Sequence, residues 1–140
     1  MIVVLFGQPG SGKTTIAKEL GLVNIDGDVL RNIFNNNDYS REGRLKNLNR
    51  ASDIAVFMDN KHIDVSLSVV YPYKEAREYL NSLACNIKWI HLIYDSDREK
   101  QSFKVEDFDI PLNENVLTIN TTNTQVLESV EKILEYCKTQ

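Results

Sequence analysis

The sequence predicts an α/β domain built as three layers, with a five-stranded parallel sheet between helices. Three observations lead there. Short β-branched runs alternate with stretches of helical spacing from one end of the chain to the other. The run Asn86–Tyr94 is almost continuously apolar, which suits a parallel strand covered on both faces. The opening run, Ile2–Phe6, passes through a glycine-rich turn straight into a helical stretch. Parallel strands joined this way need right-handed crossovers, and such sheets collect ligands at the carboxyl ends of their strands.

The turn reads Gly7-Gln8-Pro9-Gly10-Ser11-Gly12-Lys13-Thr14, a G-x-x-x-x-G-K-T phosphate-binding loop. Its glycines let successive N–H groups converge on phosphate oxygens, and the helix that begins near Lys13 adds the positive end of its dipole. Lys13 is expected to reach the β- and γ-phosphates of a nucleoside triphosphate, and the Thr14 hydroxyl to ligate Mg²⁺. Thr15 completes the loop's contacts.

The remaining elements follow in order. Gly21 stops the first helix, and Leu22–Asp26 is a second strand. A short helix is expected from Val29 to about Asn35, broken by the turn-forming residues Asn35–Asp38. Leu45, Leu48, Ala51, Ala55 and Met58 keep helical spacing over 40–60, with Ser40 as N-cap. His62–Val70 reads as the third strand and Tyr73–Leu83 as a helix after Pro72. Asn86–Tyr94 is the fourth strand, Asp95–Asn115 lacks periodicity, and Asn115–Asn120 is the fifth strand. Thr122 is expected to cap the last helix with Gln125 as capping-box partner, and Val126, Leu127, Val130, Ile133, Leu134 and Cys137 form its apolar face.

Composition narrows the function. The chain has 140 residues, a length that suits one domain over 1–140. A formal net charge of −4 argues against general nucleic-acid or membrane-surface binding. Cys85 and Cys137 make neither a metal spacing nor a disulfide framework, so two reduced, packed thiols in a cytoplasmic protein are expected. His62 and His91 lack metal-ligating neighbours and read as structural. Oligomeric state stays open between monomer and homodimer.

Two further groups belong at the ligand edge. Asp26 and Asp28 end the second strand at i, i+2, where carboxylates could help hold Mg²⁺ and orient an attacking hydroxyl. The same triplet could be a polar turn capping the next helix, and spacing alone leaves the two readings level. Arg31, Arg41, Arg44, Lys46, Arg50 and Arg77 then concentrate positive charge that would suit a phosphate- or sulfate-bearing acceptor. For Arg41 and Lys46, a solvated helix face is the better reading.

From Asp26 to Arg77 the chain resembles the adenylylsulfate (APS) kinase family. Asp26-Gly27-Asp28-Val29-Leu30-Arg31 matches its D-G-D-x-x-R, and Tyr39 to Arg50 matches its aromatic-Ser-x-x-D-R-x-x-N-x-x-R block without a gap. Ser68 to Arg77 echoes S-F-I-S-P-Y-R-x-x-R, and Phe108-Asp109-Ile110-Pro111 resembles Y-E-x-P. The resemblance implies a P-loop kinase fold and transfer of the γ-phosphoryl of ATP to the 3′-hydroxyl of adenosine 5′-phosphosulfate, with Mg²⁺. It implies Asp28 as the base for that hydroxyl and Asp26 assisting at the metal. It also implies that Arg31, Arg44 and Asn47 hold the phosphosulfate end, and that Tyr39 and Phe103 stack on the adenine.

Three positions depart from the family pattern. Gly43 stands where the family has Asp, and Tyr71 where it has Ser. The basic lid R-D-P-K-G-L-Y-K-K-A is absent or reduced to Arg98, Lys100 and Lys104. Two alternatives follow: a kinase of the same architecture acting on a nucleoside, nucleotide or sugar acid, and a nucleotide-binding module with vestigial catalysis.

Overall fold

The computed structural model describes residues 1–95, 104–112 and 114–139. Strand β1 (Ile2–Phe6) leads to helix α1 (Lys13–Leu20), β2 (Val23–Asp26), α2 (Gly27–Ile33) and α3 (Arg41–Asn60). Then come β3 (Val65–Ser68), α4 (Lys74–Leu83), β4 (Ile87–Ile93), β5 (Val116–Asn120) and α5 (Val126–Cys137). The five strands form one parallel sheet in the order β2-β3-β1-β4-β5.

The alternation of side chains along β1 builds the layers. Ile2, Val4 and Phe6 enter one core with Leu48, Ala51 and Ala55 of α3 and Ala76 and Leu80 of α4. Val3 and Leu5 enter the opposite core with Ile16 and Ala17 of α1 and Ile133 of α5. With helices on both faces, β1 is buried along its whole length.

Sequence order reverses around β1, with β3 on one side and β4 on the other. The loop after β1 therefore opens into the crevice where ligands bind in such sheets. No helix among the described residues is long and apolar enough to cross a membrane.

Several expectations held. Gly21, at φ 74°, ends α1 and returns its N–H to Ala17 O. Ser40 caps α3 by accepting from Gly43 N–H at 3.3 Å.

Others are corrected. Helix α2 starts at Gly27 rather than Val29, because the Asp26 side chain caps it two residues earlier. Strand β3 is confined to Val65–Ser68, since His62 turns out of line with φ 63°. Thr122 does not cap α5. Its hydroxyl accepts from Asp95 N–H at 2.8 Å, the helix starts behind Gln125 with no side-chain cap, and Leu127 and Leu134 face solvent. Cys85 is exposed rather than packed, whereas Cys137 is half-buried and burial pushes its thiol up.

Candidate active site

The phosphate-binding loop starts at a residue with no room for a side chain. Gly7 adopts φ 151°, and a Cβ there would come within 2.2 Å of Leu92 O on the neighbouring strand. Past it, Gly12 precedes α1 without a side-chain cap among the described residues, and the first turn of such a helix suits an anion. Lys13 folds back along the loop, its Nζ donating to Gly7 O and Gln8 O at 2.9 Å and to Ser11 Oγ at 3.3 Å. Thr121, after β5, braces the loop from behind by donating to Ser11 O at 2.8 Å.

Asp26 caps a helix with one carboxylate oxygen and turns the other to the phosphate-binding loop. Its Oδ1 accepts from the N–H groups of Asp28 at 2.8 Å and Val29 at 3.2 Å, fixing the start of α2. Its Oδ2 faces the phosphate-binding loop and accepts from Thr14 Oγ1 at 3.3 Å. Sheet order explains the meeting. Asp26 pairs with Ser68 of β3, and Ser68 pairs with Leu5 of β1, one residue before the strand's end. Asn24 steadies this edge by donating to Ser68 Oγ at 2.9 Å.

A hydroxyl and a carboxylate oxygen are the hard donors that Mg²⁺ takes, with phosphate oxygens and water completing its shell. No cluster of three or more His, Cys, Asp or Glu side chains suited to a metal ion occurs among the described residues. The donor set therefore fits an ion carried in with a nucleotide rather than one caged by protein alone.

Asp28, Arg31, Tyr39, Arg44 and Asn47 line the same cleft as Lys13, Thr14 and Asp26, a space of about 770 Å³. Arg31 is set before any ligand arrives. Its Nη1 donates to Asn36 O and Asp38 O at 3.1 Å, and its guanidinium lies 4.0 Å from the centre of the Tyr39 ring. Arg44 reaches Tyr73 Oη at 3.5 Å. Asn47 is buried and donates Nδ2 to Gly27 O at 3.2 Å, while its Oδ1 is buried with no hydrogen-bond partner among the described residues. Such an unpaired acceptor calls for a partner, and Asn47 is one of the residues that line the cleft. Pro9, Gly10, Gly12 and Thr15 also line the cleft, whereas Gly7, Gln8 and Ser11 do not. Phe103, with Arg98 and Lys100, lies outside the described residues.

Two residues of the charge and aromatic pattern are turned elsewhere. Arg77 is fully buried and away from the cleft, ion-paired with Glu114 and donating to Tyr71 O and Asp109 O at 2.8 and 2.7 Å. Tyr71 is buried at φ 45°, its hydroxyl 2.7 Å from Ser52 Oγ, and burial pushes its phenol well up. Arg41 and Lys46 behave as surface charges, Arg41 beside Glu75 and Lys46 4.0 Å from Glu42. His91 is structural, stacked between Phe6 and Phe108.

Sequence reasoning kept Lys104 as a remnant of the lid but missed the tie between Gln8 and Val105. Gln8 exchanges two hydrogen bonds with Val105: Nε2 donates to Val105 O at 2.9 Å, and Oε1 accepts from Val105 N–H at 2.8 Å. Lys104 and Val105 thereby line the cleft. The available signal was a long amide side chain in the loop ahead of an aperiodic stretch; nothing local connects residues so far apart in sequence.

These features define a P-loop nucleotide-binding α/β protein whose cleft is also lined by Arg31 and Arg44. Residues 1–103 match the adenylylsulphate kinase family, and the chain belongs to it. A probable adenylyl-sulfate kinase of Aeropyrum pernix is 36% identical over 93 residues, covering 59% of this chain and 51% of that protein. Cytidine diphosphoramidate kinase of Campylobacter jejuni is 31% identical over 87 residues, covering 56% of this chain and 51% of that protein. The chain thus spans about half the length of these two curated relatives. The structure of the Mycobacterium tuberculosis APS kinase in complex with AMPPNP and APS superposes with a TM-score of 0.80 at 16% identity, over 99% of this chain and 97% of that one. That likeness concerns the fold.

Proposed function

We propose that residues 1–140 act as one kinase domain that transfers the γ-phosphoryl of ATP to the 3′-hydroxyl of adenosine 5′-phosphosulfate, giving 3′-phosphoadenosine 5′-phosphosulfate. The observation that carries this reading is the shared cleft. Pro9, Gly10, Gly12 and Lys13 of the phosphate-binding loop line it together with Asp28, Arg31, Arg44 and Asn47.

In this reading the loop amides and Lys13 hold the β- and γ-phosphates and stabilise charge on the transferring group. Thr14 and Asp26 would hold Mg²⁺, which would supply neutralisation of the phosphates' charge. Asp28 accepts the proton of the attacking hydroxyl. The Arg31 and Arg44 guanidinium groups grip the acceptor's anionic end, Asn47 Oδ1 accepts a hydrogen bond from it, and Tyr39 offers its open face to the base.

A second acceptor class has specific support. Cytidine diphosphoramidate kinase is as similar over this region as several adenylyl-sulfate kinases are. Tyr71, buried against Ser52, offers the cleft no hydroxyl where the family has a serine. The deciding experiment incubates the protein with ATP·Mg²⁺ and, separately, adenosine 5′-phosphosulfate, cytidine nucleotides, nucleosides and sugar acids, and follows ADP release. Rapid release with the sulfated adenylate alone supports the first reading. Release with another acceptor selects the second, and release with none leaves a nucleotide-binding module.

A further inference from the structure

We propose that Gln8 is a positioning residue that fastens the segment 104–112 over the phosphate seat as a fixed cover, with Lys104 supplying the cover's cation. The inference rests on the reading that the loop seats nucleotide phosphates.

The side-chain amide of Gln8 does what a peptide group does in a sheet, donating to and accepting from the same residue. Val105, so held, is only 4% exposed. Next to it, Lys104 is exposed and lines the cleft. The far end of the segment is tied independently. Asp109 N–H donates to Pro72 O at 2.7 Å, Asp109 O accepts from Arg77 Nη2 at 2.7 Å, and Asp109 Oδ2 accepts from Lys74 N–H at 2.9 Å. Arg41 reaches Asp107 at 3.7 Å between these anchors.

A side chain of the phosphate-binding loop and a residue of the β3–α4 loop therefore hold the two ends of one short segment. Its near end lies on the cleft wall. A cover fixed in this way keeps water from the transferring phosphoryl and places positive charge beside it. The arrangement also gives Gln8 a purpose that a main-chain phosphate contact does not require.

The test compares the full chain with Gln8→Leu, which keeps side-chain volume but removes both hydrogen bonds, and with Val105→Pro, which removes the N–H from the other side. Acceptor-independent ATP hydrolysis is measured against acceptor phosphorylation, and hydrogen exchange is followed at the Val105 amide, with the unfolding midpoint as control. Both variants should raise the ratio of hydrolysis to transfer roughly tenfold while retaining a cooperative fold. The Val105 amide should be protected in the parent and lose roughly tenfold protection in Gln8→Leu. An unchanged ratio and unchanged exchange, in a parent that uses ATP normally, overturn the role of Gln8 alone. A parent that neither binds nor consumes ATP removes the nucleotide reading, and this inference with it.

Discussion

Arg77 and Glu114 meet as a two-pronged ion pair, Nε to Oε1 at 2.9 Å and Nη2 to Oε2 at 3.0 Å, with the arginine side chain 1% exposed. The same guanidinium also holds Tyr71 O and Asp109 O, so one charged group joins the loop after β3 to the segment ahead of β5. Removing the carboxylate leaves a buried charge uncompensated. Glu114→Ala is expected to cost about 3 kcal/mol, read as a lowered denaturation midpoint. Adding Arg77→Met to Glu114→Ala, which removes the buried charge as well, should recover part of that cost; no recovery would show that the pair is not what holds this region.

Lys13 and Asp28 should fail in different ways. Lys13→Ala is expected to lower phosphoryl transfer by roughly a hundredfold or more, since it removes the charge next to the transferring group. Asp28→Asn should lower transfer by a factor on the order of a hundred to ten thousand while equilibrium ATP binding stays near the parent value. Parent-like turnover in Asp28→Asn would end its assignment as the base.

Gly43 shows why a departure from the family pattern was needed. A Cβ at this position would lie 2.2 Å from Asp38 O, and Gly43 O accepts from Asn36 Nδ2 at 2.9 Å. The 36–38 turn thus sits directly on the first turn of α3, and its carbonyls are the ones that hold Arg31. Restoring the family residue with Gly43→Asp should push this turn away, at a cost of about 1–3 kcal/mol. The acceptor KM should rise while the ATP KM stays put. A lower acceptor KM would contradict this account.

His91 makes stability depend on acid. Burial lowers it to about 4, the Arg77 charge adds to the effect, and Glu114 opposes it. An unfolded histidine titrates near ~6.5. Between these values the unfolded chain binds a proton that the folded chain refuses, so stability is complete above the upper value and falls as pH drops towards the lower. The loss amounts to roughly 3 kcal/mol. His91→Phe keeps a ring between Phe6 and Phe108 and should flatten the decline in denaturation midpoint over this range. Identical slopes in the two proteins would assign the acid sensitivity elsewhere.

Much of the site was legible because its signals are local. The loop from Gly7 to Thr14 carries its glycines, lysine and hydroxyl within one turn, and the D-G-D-x-x-R stretch carries its carboxylates beside its arginine. Helix boundaries failed where a side chain had two possible partners. Asp26 capped α2 early, and Thr122 bonded Asp95 N–H instead of capping α5. Arg77 looked like a ligand-binding cation because sequence shows its charge but not Glu114 beside it.

The sequence alone determined the alternating α/β architecture, the phosphate-binding loop and the family, since periodicity and motif spacing are properties of neighbouring residues. Tertiary structure alone decided that Asp26 meets Thr14, that Arg77 is a core clamp and that Gln8 grips Val105. Each of these contacts depends on strand order and on competition among distant hydrogen-bonding partners, which linear spacing does not encode.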